Sequence, residues 1–354
     1  MLVWTSSPSK LTLRTHILTD KGSSMIRNQW YVVLESNEVK SGRPVGVTRM
    51  GEKLVFWRDH SGKVVCMRDA CPHRGVRLST GKLVEHTLQC PFHGFRFDAS
   101  GVCTLIPANG GDAPVPKAFR VNTYPAHEER DFIFVWWGEP RESLPPVYFF
   151  DSIPPEMSYS TLRDHWPTHY SRAIENQLDV VHLPFIHHNT IGRGNRVVVD
   201  GPIAEFADDS DLLNLWVYNR VDDGTPPRKA SQLPAPQRTP FLQFHFPNLW
   251  QNWISQDTRI VIAFTPIDDE NTLMYIRFYQ NFMKLPILRQ VVNWSGALAN
   301  LLVERQDKRV VVTQTPKRSY LQMGEKLIQG DGPIIAYRRR REELIRQAST
   351  VETA

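Results

Sequence analysis

The sequence predicts an α+β protein: an all-β N-terminal domain, then a domain in which strands and helices occupy separate runs. Three observations carry this. Short apolar strands alternate with turns up to Trp137, prolines cluster just beyond, and the second half keeps its strand-like and helix-like stretches apart, which favours α+β over a parallel doubly wound sheet.

In chain order, 30–33 (Trp-Tyr-Val-Val) is the first clear strand, followed by 45–47 and 54–57. The turn formers Asp59, Ser61 and Gly62 join 54–57 to a strand at 64–67. Residues 95–97 and 102–105 flank a second hairpin turn, 98–101, and 132–137 (Phe-Ile-Phe-Val-Trp-Trp) is a longer apolar strand. Pro140, Pro145, Pro146, Pro154 and Pro155 then read as a linker or domain edge. The expected division is a leader over 1–24, a first domain over 25–145 and a second over 146–354. The leader is either a loosely ordered arm or a stretch upstream of a start at Met25. In the second half, 172–182 has Ile174, Leu178 and Val181 at helical spacing, and 212–218 and 273–278 read as strands. Residues 287–312 carry helical periodicity through Leu288, Val292, Ala299, Leu302 and Val310.

Composition narrows the function classes. With 41% hydrophobic and 22% charged residues, collagen-like and disordered chains are excluded. The best apolar run, 291–303, is broken by Asn293, Ser295 and Asn300, so no membrane span is expected, and no secretory pattern opens the chain. A net charge of +5 is too small and dispersed to imply nucleic acid. Four cysteines are too few for a disulfide framework. Two have histidines close by, which points to metal in a reducing, cytoplasmic compartment.

The strongest motif is a pair of loops, Cys71-Pro72-His73-Arg74-Gly75 and Cys90-Pro91-Phe92-His93-Gly94. Two Cys and two His suit a tetrahedral zinc or a Rieske [2Fe–2S] centre. A zinc finger pairs Cys with Cys and His with His; here each loop carries one of each, between strands, which favours the cluster. Cys66 and Cys103 lack a histidine at ligand spacing and read as buried apolar residues.

A second constellation runs from Glu175 to His187. On a helix Asp179 and His182 share a face, and Pro184 lets the chain turn so that His187 converges with His182 on one ion. Two histidines and a carboxylate make the facial triad that leaves positions open at Fe(II). The third ligand must come from far along the chain, from Glu304 or Asp307. Glu304 has Lys308 at i+4, the spacing of a solvated ion pair. Asp307 lies beside Val303, Val310 and Val311, where a buried carboxylate needs a metal or donor, and is favoured. His188 is the register competitor, while His169 and His245 read as satisfied or exposed.

With these motifs the chain resembles, from Met25 to about Leu344, the Rieske non-haem iron oxygenases: α subunits of aromatic ring-hydroxylating oxygenases and oxidative demethylases. The resemblance implies Cys71, His73, Cys90 and His93 as cluster ligands. It implies His182 and His187 as iron ligands within an Asn/Glu-x-x-Asp-x-x-His-x-x-x-x-His motif that begins at Asn176. Asp179 is then the carboxylate bridging His182 to a cluster histidine, His93, of a neighbouring subunit. The segment 304–316 resembles the demethylase branch, in which an Asp-Lys pair supplies the third ligand, here Asp307. Residues 331–339 are similar to the closing segment of such members. Phe92 and Phe95 depart from the usual Tyr and Trp. The implied fold is a Rieske domain followed by a helix-grip-like catalytic domain with an antiparallel sheet, assembled head to tail as a homotrimer.

The implied cofactors are a [2Fe–2S] cluster and mononuclear Fe(II). The implied reaction uses O2 to hydroxylate or oxidatively demethylate an aromatic or heterocyclic small molecule; cis-dihydroxylation and a bare electron carrier or redox sensor are the alternatives. Gly192-Arg193-Gly194 is not a nucleotide fingerprint, and no further cysteine group exists for a second cluster, so a separate NAD(P)H-dependent reductase, with or without a ferredoxin, is expected. The run 338–341 (four Arg) would dock an acidic electron donor or, the favoured reading, be a solvated helix end neutralised by Glu342 and Glu343. Phe244, Phe246, Trp250 and Trp253 read as core ahead of substrate contacts.

Overall fold

The computed structural model describes residues 25–208 and 210–351; the leader expected over 1–24 lies outside them. The first part holds β1 Gln29–Glu35, β2 Val45–Arg49, β3 Glu52–Arg58, β4 Val64–Arg68, β5 Lys82–Val84, β6 Thr87–Gln89, β7 Arg96–Phe97, β8 Cys103–Leu105, β9 Thr123–Tyr124, β10 Ala126–Glu129 and β11 Phe132–Trp137. They form three sheets, ordered β1-β11-β10, β2-β3-β4-β9 and β5-β6-β7-β8. The central strand β11 is buried on both faces, and its alternation divides it between two cores. Ile133, Val135 and Trp137 point into one, Phe132 and Phe134 into the other. Val55, Trp57, Val65 and Met67 build a separate core with Leu78, Leu88 and Phe97, and Cys71 and Cys90 belong to it.

The proline-rich stretch is a seam, not a free linker. Proline denies it strand pairing, but Phe149, Phe150 and Ile153 are buried against Phe132 of β11 and Tyr275 of the later sheet.

The second part comprises β12 Ser158–Trp166, α1 Tyr170–Leu178, α2 Leu183–Ile186, β13 Val198–Phe206, β14 Leu212–Arg220, β15 Leu242–His245, β16 Leu249–Ser255, β17 Thr258–Pro266, β18 Thr272–Gln280, α3 Pro286–Val311 and α4 Gly332–Val351. β13 to β18 form a sequential antiparallel meander. β12 adds at the β18 edge, giving the order β12-β18-β17-β16-β15-β14-β13. The α+β class and the antiparallel catalytic sheet are thus as expected. No helix among the described residues is long and apolar enough to cross a membrane.

α3 lies on β12 and β18, and its buried face differs from the expected one. Asn293, Ala297, Leu301, Glu304, Asp307 and Val311 face inward, whereas Leu288, Leu302 and Val310 are exposed. The sheet offers α3 polar partners, so polar residues go inside: Asn293 Oδ1 accepts from Gln280 Nε2 at 2.8 Å. Close approach occurs at Gly296, where a Cβ would lie 2.5 Å from the Phe278 ring.

The basic run of α4 divides: Arg339 is exposed and Arg340 pairs with Glu343, in keeping with the favoured expectation, but Arg338 and Arg341 are buried. Arg338 donates to Glu175 of α1 at 2.7 and 2.9 Å and to Glu325 at 2.7 Å, while Arg340 meets Asp211 and Glu343. Arg338 and Arg340 thus tie α4 to α1 and to the start of β14.

Candidate metal centres

The two Cys-His loops have the same backbone. Gly75 N–H donates to the Cys71 carbonyl at 2.8 Å and Gly94 N–H to the Cys90 carbonyl at 3.1 Å. Both glycines take positive φ, +72° and +75°, which closes each loop tightly. Cys71 and Cys90 are buried and His73 and His93 exposed, their rings 4.7 Å apart. Burial, with the Cys90 thiol alongside, pushes the Cys71 thiol up to about 11, so its thiolate is favoured only beside a cation. Phe95 stacks on the His73 ring at 4.9 Å and fixes its plane. No three of these four donors gather within reach of one ion, as zinc would require; thiols inside and imidazoles outside suit two metals side by side. Cys66 and Cys103 are buried free thiols.

Among the described residues one group of donors does converge on a single point: His182, His187 and Asp307, with ligand atoms all within 4.8 Å of one another. Asp307 Oδ1 is 3.5 Å from His182 Nε2 and 3.0 Å from His187 Nε2. That oxygen is buried and has no hydrogen-bond partner, the condition a cation relieves. Gln306 Oε1 accepts from His187 Nδ1 at 2.7 Å, which puts the ring proton on Nδ1 and leaves the Nε2 lone pair facing Asp307. Gln306 was missed in the sequence; only its place beside Asp307 hints at it. His188 faces solvent with its Nδ1 3.1 Å from the Phe185 carbonyl, and takes no part.

The route to convergence differs from the expected one. α1 ends at Leu178, and Asp179 is already extended at φ −73°, ψ 124°. Asp179 and His182 therefore do not share a helix face. The chain turns over 179–182, where Asp179 Oδ1 accepts from the Val181 and His182 N–H groups at 2.6 and 3.3 Å. Pro184 does not break a helix but lies within the first turn of the new one, α2, where a missing N–H costs nothing. The Asp179 carboxylate stands 3.7 Å from His182 Nδ1, with 28% of its side chain exposed. Burial raises its pKa, but His182 and the two backbone donors outweigh that and hold it below the ordinary value.

Glu304 is not the solvated ion pair its spacing suggests. It is buried one turn before Asp307 and accepts from Gln177 Nε2 at 3.0 Å, while Lys308 reaches Asp164 of β12 at 3.2 Å. Both neighbouring elements cover this face of α3, so the i, i+4 contact is replaced. Burial, then Asp307 and Asp164, push the Glu304 carboxyl well above its usual range. His169 is buried and caps α1 by accepting from Ser171 N–H at 3.2 Å; His245 stacks on Tyr148 at 3.8 Å.

The donors open onto a cavity of about 230 Å3. Val180, Leu183, Val217, Phe241 and Ile260 give it apolar walls, with Asn176, Asn252 and Glu304 as polar points. Trp250 lines it, whereas Phe244 and Phe246 are core beneath Tyr337 of α4. No residue of the Cys-His loops reaches this cavity.

Residues 29–125 match the Rieske [2Fe-2S] domain, and 166–347 match the vanillate O-demethylase oxygenase C-terminal domain. The chain is 30% identical over 260 residues to the 3-chlorobenzoate-3,4-dioxygenase oxygenase subunit of Comamonas testosteroni, covering 71% of this chain and 58% of that protein. It is 36% identical over 173 residues to the chloroplastic chlorophyllide a oxygenase of Chlamydomonas reinhardtii, covering 48% and 26%. The chain thus spans less than two thirds of either relative. Dicamba monooxygenase bound to dicamba superposes with a TM-score of 0.71 at 22% identity, over 92% of this chain and 99% of that one. NdmA of Pseudomonas putida CBB5 does so with 0.68 at 22%, over 91% and 94%. These last two likenesses are of fold.

Proposed function

The chain belongs to the Rieske oxygenases, with a catalytic domain of the vanillate O-demethylase type, and from that premise we propose that it uses O2 and reductase-supplied electrons to hydroxylate or oxidatively demethylate an aromatic or heterocyclic small molecule. The observation that carries this is the convergence of two imidazoles and an orphaned carboxylate oxygen on one wall of an apolar cavity. Domain limits of 25–145 and 146–354, in a cytoplasmic protein, complete the proposal.

Bound to His182, His187 and Asp307, Fe(II) supplies open positions for O2 activation, and a [2Fe–2S] cluster on Cys71, His73, Cys90 and His93 supplies electrons. The protein's own part is positioning. Gln306 holds His187 in the tautomer that presents Nε2. Val180, Leu183 and Phe241 exclude water and place an aromatic ring near the ligand atoms. The exposed His73 and His93 would be the side of a cluster held here that faces an electron acceptor, since Cys71 and Cys90 are buried. No cluster-loop residue lines the cavity of the same chain, which supports delivery from a neighbouring subunit in a head-to-tail trimer. The partly exposed Asp179, beside His182, is the bridge, and Asn176 borders the cavity one turn earlier. The exposed apolar side of α3 (Ile287, Val291, Trp294) supports burial against another copy.

Iron analysis and product mass spectrometry test the proposal. About three irons per chain are expected, against about two for a bare electron carrier. With reductase, NADH and methoxylated aromatics, loss of a methyl group or gain of one oxygen is expected; gain of two oxygens and two hydrogens would make it a cis-dihydroxylating enzyme.

A further inference from the structure

A second cavity, of about 440 Å3, lies in the seam where β1 and β11 face the turn between β15 and β16, with the proline-rich stretch alongside. None of its wall residues lines the metal cavity. The two spaces are parted by β15 and β16, which give His245 and Leu249 to the seam and Leu242 and Trp250 to the metal side. Aromatic rings dominate the seam wall. Tyr148 and His245 stack 3.8 Å apart and 5° from parallel, and Trp30 meets Trp136 edge-on at 5.6 Å. Both indole N–H groups are spent inside the protein, Trp30 Nε1 on the Pro145 carbonyl at 2.8 Å and Trp136 Nε1 on the Glu139 carbonyl at 3.0 Å. What the tryptophans have left for an occupant is ring surface.

Charge decides what kind of occupant fits. Burial pushes the His245 imidazole down to about 4, so the stacked pair is neutral at pH 7. Asp211, the one acid among the wall residues, is taken by Arg340 at 2.7 Å. Arg141 is exposed, with its guanidinium 5.3 Å from the centre of the Trp136 ring. Among the described residues it has neither a carboxylate partner nor a hydrogen-bond acceptor, and the Tyr148 hydroxyl has no hydrogen-bond partner. Aromatic walls by themselves suit a quaternary ammonium as well as a flat ring. The unpaired guanidinium repels the first, and its fork matches a carboxylate. We propose that the seam cavity is a second small-molecule site, for a flat aromatic carboxylate. The ring lies against Tyr148 and His245, and the carboxylate meets Arg141.

Calorimetric titration of the full-length, iron-loaded protein tests it, using 2-naphthoate, the neutral 2-naphthamide and the cationic 2-naphthyltrimethylammonium. The carboxylate is expected to bind about tenfold more tightly than the amide, a preference that fades with added salt, and the cation to bind most weakly. Arg141→Gln should abolish the preference while keeping the amide's Kd. Tyr148→Leu should weaken carboxylate and amide together, by about fivefold. Equal affinities for the three compounds, or tightest binding of the cation, overturn the proposal. So does a carboxylate preference that survives Arg141→Gln, which would place the ligand in another cavity, and so does a folded Tyr148→Leu variant that binds as the parent does. Arg141 is exposed, so its variant stays readable should Tyr148→Leu fail to fold. None of these measurements uses turnover, so the proposal stands or falls apart from the oxygenase reading.

Discussion

His187 carries a division of labour between its two nitrogens. Nδ1 is committed to Gln306 and Nε2 to the point it shares with Asp307. Asp307 is held there with no donor on Oδ1, and a buried carboxylate without a counterpart is costly. Asp307→Ala is therefore expected to lose one iron per chain and all turnover while the cluster's visible absorbance persists; a variant that keeps its third iron would remove Asp307 from the ligand set. At this scale legibility tracked covalent proximity. Cys71 with His73, Cys90 with His93, and His182 with His187 are short-range patterns that the backbone alone brings near. Gln306 was not legible, since its partner is more than a hundred residues away. Glu304 was misread because i, i+4 spacing with Lys308 assumes a solvent-facing helix.

At the scale of elements, α3 positions Asp307 by lying flat on β12 and β18, and Gly296 lets it do so. Gly296→Ala should raise helix propensity by about 1 kcal/mol, yet its Cβ would meet the Phe278 ring at 2.5 Å, and overpacking of that kind costs about 1–3 kcal/mol. A net loss of about 1 kcal/mol in denaturant unfolding is expected, with lower occupancy of the third iron; a stabilised variant would show that contact to be slack. The existence of α3 was legible in its long helical periodicity, and its inward face was not. Apolar periodicity identifies the buried side only where the opposing surface is apolar, and here Gln280, Gln177 and the metal donors reward polar residues. The end of α1 was likewise overrun: Val181 kept the helical rhythm, but Asp179 bonded the backbone ahead of it and turned the chain.

For the whole molecule, α1 is clamped by charges from distant segments. Arg172 and Arg338 converge on Glu175, and Glu325 bridges both. This frame sets the turn that carries Asp179 to the surface. On the proposed head-to-tail assembly, Asp179→Ala is expected to keep about three irons per chain and an unchanged mass in sedimentation, yet to lose most turnover, since its bridge to a neighbouring subunit would be gone; near-normal turnover would end its bridging role. The sequence by itself determined the α+β class, the two loops of Cys and His and the histidine pair, because each rests on alternation or short spacing along one chain. Only the tertiary structure decided that Asp307 meets the histidines, that Glu304 is buried, that Arg338 and Arg341 of α4 turn inward and that five other arginines line one concavity. Those outcomes depend on which remote surface covers a residue, and burial of a charged group is settled by its partners across space, not by its neighbours in sequence.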